Sequence, residues 1–230
     1  MIITIDGPGA SGKSVVAQKL AERLGEGYRC LNTGAMYRAI GMLAQRECPD
    51  LDDDDCIAAI AKRTKLDFDW EAVPPKLLID GVVADAEVHA ESNANAASRI
   101  ARVKAVRDEL VAQQARIGRL KANLVSEGRD QGSVVFPDSK FKFFLTADVS
   151  IRARRRFEQL VRKGKPADEQ QVFQDLMRRD HQDTTSEVGR LIVPDDAILV
   201  DTTDIHSIDE VAEQMLAVIR GSAGGRAAHV

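Results

Sequence analysis

The chain has 230 residues, a formal net charge of −4 and 44% hydrophobic residues. That suits one domain with enough apolar material for a core, and a 30% charged share excludes a wholly disordered or fibrous chain. The acidic total argues against binding a nucleic-acid polymer, and no apolar run approaches the ~18 residues of a membrane span.

Met1 leads straight into Ile2-Ile3-Thr4-Ile5, with no basic n-region or cleavage site, which fits a cytoplasmic protein. Cys30, Cys48 and Cys56 are odd in number, widely spaced and without a CxxC, so they read as reduced thiols.

Short apolar runs alternate with amphipathic stretches along the chain. Ile2 to Ile5 reads as a buried strand. Lys13 to Leu24 has helical spacing through Val16, Leu20 and Leu24 and stops at Gly25. Tyr28 to Leu31 follows as a strand, then Gly34 to Arg46 and Ile57 to Arg63 as helices. Between Leu66 and Asp85, Asp80-Gly81 separates apolar pairs, which signals a small antiparallel insertion holding the single tryptophan, Trp70. Ser92 to about Ile117 reads as one long helix. Asn123 to Ser126 and Lys140 to Leu145 read as strands, Ser150 to Arg162 and Asp168 to about Arg179 as helices, and Ala197 to Val200 as the last strand. Ser207-Ile208-Asp209-Glu210 is a capping box opening a final helix. Strands separated by helices predict an α/β fold with a parallel sheet covered on both faces. The Gly/Ala-rich end, 221–230, is expected to be a frayed, flexible tail.

Gly7-Pro8-Gly9-Ala10-Ser11-Gly12-Lys13-Ser14 fits GxxxxGK[ST], with a buried strand before it and a helix after it. The chemistry needs both. Glycines let backbone N–H groups turn inward onto phosphate oxygens, and the helix N-terminus adds partial positive charge. Lys13 is expected at the β/γ-phosphates and Ser14 on Mg²⁺. A companion acid at a strand end is harder to choose. Asp201 reads as the start of a loop, and Asp6 and Asp130 are better placed.

Arginines recur at loop and helix starts: Arg38, Arg107, Arg129, Arg152, Arg155, Arg156, Arg179 and Arg190 among them. Phosphoryl transfer is mostly positioning and charge stabilisation, so such a set suits a triphosphate-binding protein. Gly128-Arg129-Asp130-Gln131-Gly132 lies just beyond a core strand, where open parallel sheets place their ligands. An Arg–Asp pair there can clamp an anion and accept a hydrogen bond from an amine. The acidic run Asp50 to Asp55 lacks the glycine and terminal Glu of a calcium loop and reads as a solvated turn. The four histidines have no zinc-site spacing, and no GxSxG elbow is present.

Taken together, Ile5 through Ser14, Asn32-Thr33-Gly34-Ala35-Met36-Tyr37-Arg38, Asn95-Ala96-Ala97-Ser98, Gly128-Arg129-Asp130 with Val134-Val135-Phe136-Pro137-Asp138, and Arg178-Arg179-Asp180 with Asp183 resemble the bacterial cytidylate kinases. The resemblance covers essentially residues 1–220. It implies the P-loop nucleoside monophosphate kinase fold. A five-stranded parallel core (1–31, 118–147 and 187–220) would carry a monophosphate-binding region (32–117) and a mobile lid (148–186). It implies transfer of the ATP γ-phosphoryl group to CMP or dCMP with Mg²⁺; separately, a monomer is expected. Carried over by position, Gly7, Pro8, Gly9, Ala10, Ser11, Gly12, Lys13, Ser14, Val15 and Arg155 would hold ATP. Thr33, Tyr37, Arg38, Ser98, Arg107, Arg129, Asp130, Arg179 and Asp183 would hold the acceptor, and Lys13, Arg129 and Asp130 would be catalytic.

The cytosine assignment has a physical basis. Asp130 can accept from the N4 amine while Arg107 and Ser98 donate to N3 and O2, and uracil offers Asp130 no donor. Three residues depart from the usual pattern: Asn32 for Asp, His89 for Arg and Ser186 for Arg. Arg190, one turn beyond Ser186 if that stretch is helical, is a candidate replacement. A related P-loop kinase with another acceptor, or a nucleotide-binding regulator with little transfer activity, remain open beside the main reading.

Overall fold

The computed structural model describes residues 1–25, 27–90, 92–205 and 207–223. Five strands form one parallel sheet: β1 (Ile2–Asp6), β2 (Arg29–Asn32), β6 (Leu124–Gly128), β7 (Phe141–Thr146) and β8 (Ile198–Asp201), in the order β2-β6-β1-β7-β8. The register runs Ile2↔Leu124 to Asp6↔Gly128 on one side of β1 and Ile3↔Phe141 to Asp6↔Phe144 on the other. Side chains alternate across a strand, so neighbouring residues feed different cores. Leu124 joins the cluster built with Met36, Ile40, Val106 and Leu110, and Val125 joins the one built with Ile3, Ile5, Leu20 and Met215. The first cluster lies under α2 (Thr33–Glu47), α3 (Asp54–Arg63) and α6 (Lys104–Leu120). The second lies under α1 (Lys13–Leu24) and α9 (Ile208–Ala223). Both faces are covered, as a parallel sheet requires. No helix among the described residues is long and apolar enough to cross a membrane.

The insertion is a three-stranded antiparallel sheet, β3 (Leu66–Asp69), β4 (Lys76–Ile79) and β5 (Val82–Val83). Asp80 and Gly81 both have positive φ, 50° and 85°, which a two-residue hairpin turn of this hand demands. Trp70 packs on Phe68 with ring centroids 5.3 Å apart.

Three expectations are corrected. The long helix is two, α5 (Ser92–Ile100) and α6, with the short α4 (Asp85–Val88) before them. Val103 takes an extended conformation as the N-cap of α6. The break escapes periodicity because Ile100, Val103, Val106 and Leu110 are buried on both sides of it. Cys48 and Cys56 are joined in a disulfide, and only Cys30 is free and buried. Cys48 caps the end of α2 and Cys56 lies in the first turn of α3, so the acidic turn between them brings the pair to a 6.0 Å Cα separation. An odd count does not exclude one internal pair. At the other end, α9 continues to Ala223, so residues 221–223 are helical, and the rest of the expected tail, 224–230, lies outside the described residues.

The acidic turn is built into the fold. Asp53 caps α3, accepting from the Cys56 amide at 2.9 Å, and Arg99 on α5 grips Asp52 and Asp54 at 2.8 and 2.9 Å.

Candidate active site

The ends of β1, β2 and β6 converge on one edge of the sheet, and the chain leaves each of them into a candidate segment. After β1 comes the glycine loop. Gly7 has φ 150°, and a Cβ there would stand 2.0 Å from the Leu145 carbonyl oxygen, so the tight turn against β7 admits only glycine. Gly12, at φ 90°, is the N-cap of α1 and offers no side-chain cap, which leaves the first amides of the helix for an anion. Lys13 folds back over the loop, its Nζ donating to the Pro8 carbonyl at 2.7 Å and to Ser11 Oγ at 3.3 Å. Burial, then repulsion from Arg129, pushes this ammonium down to about 7.

Ser14 Oγ donates to Glu127 Oε1 at 2.7 Å. Glu127 is a buried carboxylate on β6, in register with Ile5, so it stands beside the loop. Glu127 lies outside the strand expected from sequence, Asn123 to Ser126, because β6 runs two residues further, to Gly128. Asp6, one of the two acids favoured from sequence, is otherwise engaged. Its two oxygens accept from the Gln131 and Gly132 amides at 2.8 and 2.7 Å. Burial nevertheless raises this carboxyl to about 6, with Asp130 adding and the two amides and Lys13 opposing.

After β6 the chain enters Arg129 and Asp130 and then a π-helical turn, Gln131–Val135. Arg129 donates through Nη1 to the Gly7 carbonyl and through Nε to Asp183, both at 2.9 Å. Arg152, on α7 (Val149–Arg162), reaches the same loop. It donates to the Gly9 carbonyl at 3.0 Å and to Asp180 at 2.6 Å on α8 (Glu169–Thr185). Arg152 thus ties α7 both to α8 and to the glycine loop.

Arg179 completes a cationic cluster. Burial, then Arg129, lowers it from its ordinary value, with Arg38 and Arg156 contributing and Asp183 opposing. Its Nε is sealed from solvent without a hydrogen-bond partner, an arrangement that suits an anionic oxygen.

Beside this cluster, Asp130 and Arg107 form a buried ion pair through Oδ2 and Nη2. The Tyr37 hydroxyl faces them, buried and without a hydrogen-bond partner, and burial raises it. Gln131 fixes the floor, accepting from Ser126 Oγ at 2.7 Å and donating to Gln114 at 3.1 Å.

The structure therefore brings the Gly7–Ser14 loop, Arg38, Tyr37, Arg107, Arg129, Asp130, Arg179 and Asp183 to one edge of the sheet. Other candidates stand differently. The Arg155 guanidinium is taken up by Thr202 Oγ1, the Thr202 carbonyl and the Ile205 carbonyl at 3.0, 2.6 and 2.9 Å. Thr33 is buried and its hydroxyl donates to the Glu127 carbonyl at 2.7 Å. The Val15 side chain is exposed. Ser98 is half-buried on α5, which lies so close to α2 that a Cβ on Gly41 would stand 3.0 Å from Ala96 Cβ. Arg190 is exposed, with Nε donating to the Thr184 carbonyl at 2.9 Å, and its stretch is not helical, so the one-turn relation to Ser186 does not hold. Asn32 caps α2 by accepting from the Ala35 amide at 3.0 Å, a task Asn and Asp perform about equally.

A five-stranded parallel sheet whose first strand runs through a glycine loop into a helix, with cationic side chains converging above it, defines a P-loop nucleotide-binding protein. Comparison with known proteins narrows this. The cytidylate kinase family matches residues 3–221. A protein of Caldanaerobacter subterraneus named cytidylate kinase is 40% identical over 223 residues, covering 97% of this chain and 96% of its own. Those of Cupriavidus necator and Bacillus subtilis, with the same name, are 40% and 37% identical over 94% of this chain, covering 93% and 95% of theirs. The chain belongs to the cytidylate kinase family, and its fold is that of the P-loop nucleoside monophosphate kinases.

Proposed function

We propose that this protein transfers the γ-phosphoryl group of ATP to CMP or dCMP, giving ADP and CDP or dCDP. The observation that carries the reading is the Arg107–Asp130 pair, buried beside a cluster of arginines that itself touches the phosphate loop. A base-reading pair, an acceptor-phosphate cluster and a donor loop then lie in sequence along one edge.

In this reading the amides of Gly9 to Val15 hold the donor phosphates, and Lys13 leaves its loop carbonyl for the β/γ oxygens. An acceptor phosphate oxygen forms a bond to the γ-phosphorus as the bond to the bridging oxygen of ADP breaks. The charge spread over the transferring group is met by Lys13, Arg129, Arg152 and Arg179. Arg38 and Arg129 hold the acceptor phosphate, with Arg179 and Asp183 near the pentose. Asp130 accepts from the cytosine N4 amine, and Arg107 and Ser98 donate to the base. Tyr37 lines the pocket.

The donor set fits Mg²⁺. The Ser14 hydroxyl and the Glu127 carboxylate are hard oxygen donors, already within hydrogen-bond distance of each other at 2.7 Å. Few protein ligands suit this ion, which keeps waters and takes phosphate oxygens. Bound there with ATP, it would neutralise charge on the phosphates.

Residues 32–117 serve as the acceptor region and 148–186 as a lid in this reading, in a cytoplasmic monomer. A coupled ADP-release assay over CMP, dCMP, UMP, AMP and shikimate tests it. Turnover is expected with CMP and dCMP and much less with the others. Brisk turnover with a different acceptor, or nucleotide binding without ADP release, would overturn it.

A further inference from the structure

The chain beyond α8 turns back on itself. Ser186 Oγ donates to the Val188 carbonyl at 2.7 Å, and the Leu191 amide donates to the Asp183 carbonyl at 2.7 Å. Residues 186–191 thus close a small loop on the last turns of α8. At its tip is Gly189, with φ +74°. A Cβ at Gly189 would stand 2.4 Å from Arg107 Nη1, 2.8 Å from Cζ and 3.1 Å from Cδ. The backbone of this loop therefore lies directly against the guanidinium arm of Arg107, a residue from α6 far away in sequence.

Arg107 has little room to yield. It is 9% exposed, and its Nη2 is committed to Asp130. A side chain at position 189 must displace the guanidinium, whose Nη2 is bonded to Asp130, so the displacement bears on that pair. The loop is also anchored to Asp183, whose carboxylate takes Arg129 Nε at 2.9 Å. One short segment thus touches the base-side pair at its tip and the phosphate-side arginine at its root.

We propose that Gly189 is a specificity-determining positioning residue, because the 186–191 loop seats against Arg107 and fixes the orientation in which Arg107 and Asp130 read the acceptor base. The inference rests on the assignment of that pair to cytosine made above. Gly189 acts in this proposal through Arg107, against which it lies.

The test is a cycle of kcat/KM for CMP and UMP on purified full-length variants. Gly189→Ala is expected to lower kcat/KM for CMP by about tenfold or more and for UMP by less, with KM for ATP within about twofold of wild type. Gly189→Asn separates backbone demand from volume. Asn tolerates the left-handed conformation yet still carries a Cβ, so it should behave like Ala. Gly81→Ala is the control, since Gly81 has φ +85° and nothing within 4 Å of a Cβ, and its CMP/UMP ratio should stay at the wild-type value. Arg107→Met removes the atoms nearest the tip, and Gly189→Ala in that background should change the ratio no further.

If Arg107→Met narrows the CMP/UMP ratio while Gly189→Ala leaves it unchanged, the proposal falls and the base assignment stands. If Arg107→Met leaves the ratio unchanged, the base assignment fails and the proposal with it. Recovery of the wild-type ratio in Gly189→Asn would make the effect one of backbone conformation and overturn the proposal. Should Gly189→Ala alone fail to fold, Arg107→Met must restore folding by opening the space, and failure to do so also overturns it.

Discussion

The donor loop and the acceptor face meet at the same sheet edge but are made of different material. The loop is backbone. Its ligand-facing groups are chiefly amides, joined by the Lys13 and Ser14 side chains, their direction is set by Gly7 and Gly12, and its residues are contiguous from 7 to 14. The acceptor face is side chains, brought from α2, α6, the turn after β6, and α8. A backbone site is preorganised by the fold and cannot be lost without changing the chain path. A side-chain site is held by partners such as Asp130 for Arg107 and Asp183 for Arg129, and each link can be varied alone. The difference predicts that changes to the loop's own charge act on turnover, and changes to the acceptor face act on selectivity.

The strongest test of that division is Lys13→Ala. It removes the cation that meets charge developing between the β- and γ-phosphates, and kcat is expected to fall on the order of a thousandfold. The fold should not suffer, because Lys13 is a buried ammonium held at a depressed value near 7. Turnover by ADP release and thermal unfolding, measured side by side, check both halves. Near-normal kcat would show that this loop is not the donor site.

Asp6 is where the two regions are joined. It directly precedes Gly7, and its carboxylate grips the Gln131 and Gly132 amides next to Arg129 and Asp130. Its carboxyl is raised from 3.8 to about 6, so the native state binds a proton that the unfolded chain has released. Stability therefore falls as pH rises between about 4 and 6, and the cost is fully present above about 6. At neutral pH it is on the order of 3 kcal/mol, spent on holding a charge at the seam. Asp6→Asn removes the titration but leaves one amide without its acceptor. Measured by denaturant unfolding, the stability of Asp6→Asn relative to wild type should improve by about that amount between pH 4 and 7. A pH-independent difference would mean that Asp6 does not titrate in this range.

Asp130→Asn probes the acceptor face. An amide can donate as well as accept, so uracil's O4 no longer faces an obligate acceptor. The CMP/UMP ratio of kcat/KM should narrow by roughly tenfold to a hundredfold, with KM for ATP little changed. Loss of ATP affinity with the ratio intact would erase the distinction between the two regions.

The same contrast explains what could be read from sequence. The glycine loop and the five sheet strands were visible because their signals are local: a run of apolar residues, a fixed spacing of Gly, Lys and Ser. The hairpin at Asp80-Gly81 was visible for the same reason. The acceptor face was not visible from spacing. Arg107 and Asp130 stand out separately from the residues, one as an arginine among many and the other as an acid just beyond a core strand; their joint role in reading a base is what the family resemblance implies, because nothing within either segment says that the two meet. Glu127 falls beyond an expected strand boundary that is two residues short, and the Arg155 partners, Thr202 and Ile205, lie in a loop that periodicity does not describe. The Cys48–Cys56 bridge depends on the angle between two helices, and Gly189 has meaning only against Arg107.

A further effect on the loop, graded with pH, is the pH dependence of ATP binding. In the free protein Lys13 titrates at about 7, because burial and Arg129 disfavour the ammonium. A triphosphate beside Nζ supplies the opposite charge and draws the lysine back to its protonated form. Binding is therefore linked to proton uptake above about pH 7. The apparent affinity for ATP should fall as pH rises past 7, with a limiting slope of about tenfold per pH unit. It should flatten below 7, where Lys13 is already charged. Fluorescence or calorimetric titration across pH 6–9 measures the slope, and calorimetry in buffers of different ionisation enthalpy counts the proton directly. Lys13→Arg provides the contrast, since a guanidinium stays charged throughout and should bind with little dependence on pH. An equal slope in wild type and Lys13→Arg would place the titrating group on the acceptor face or on ATP itself, not in the backbone loop.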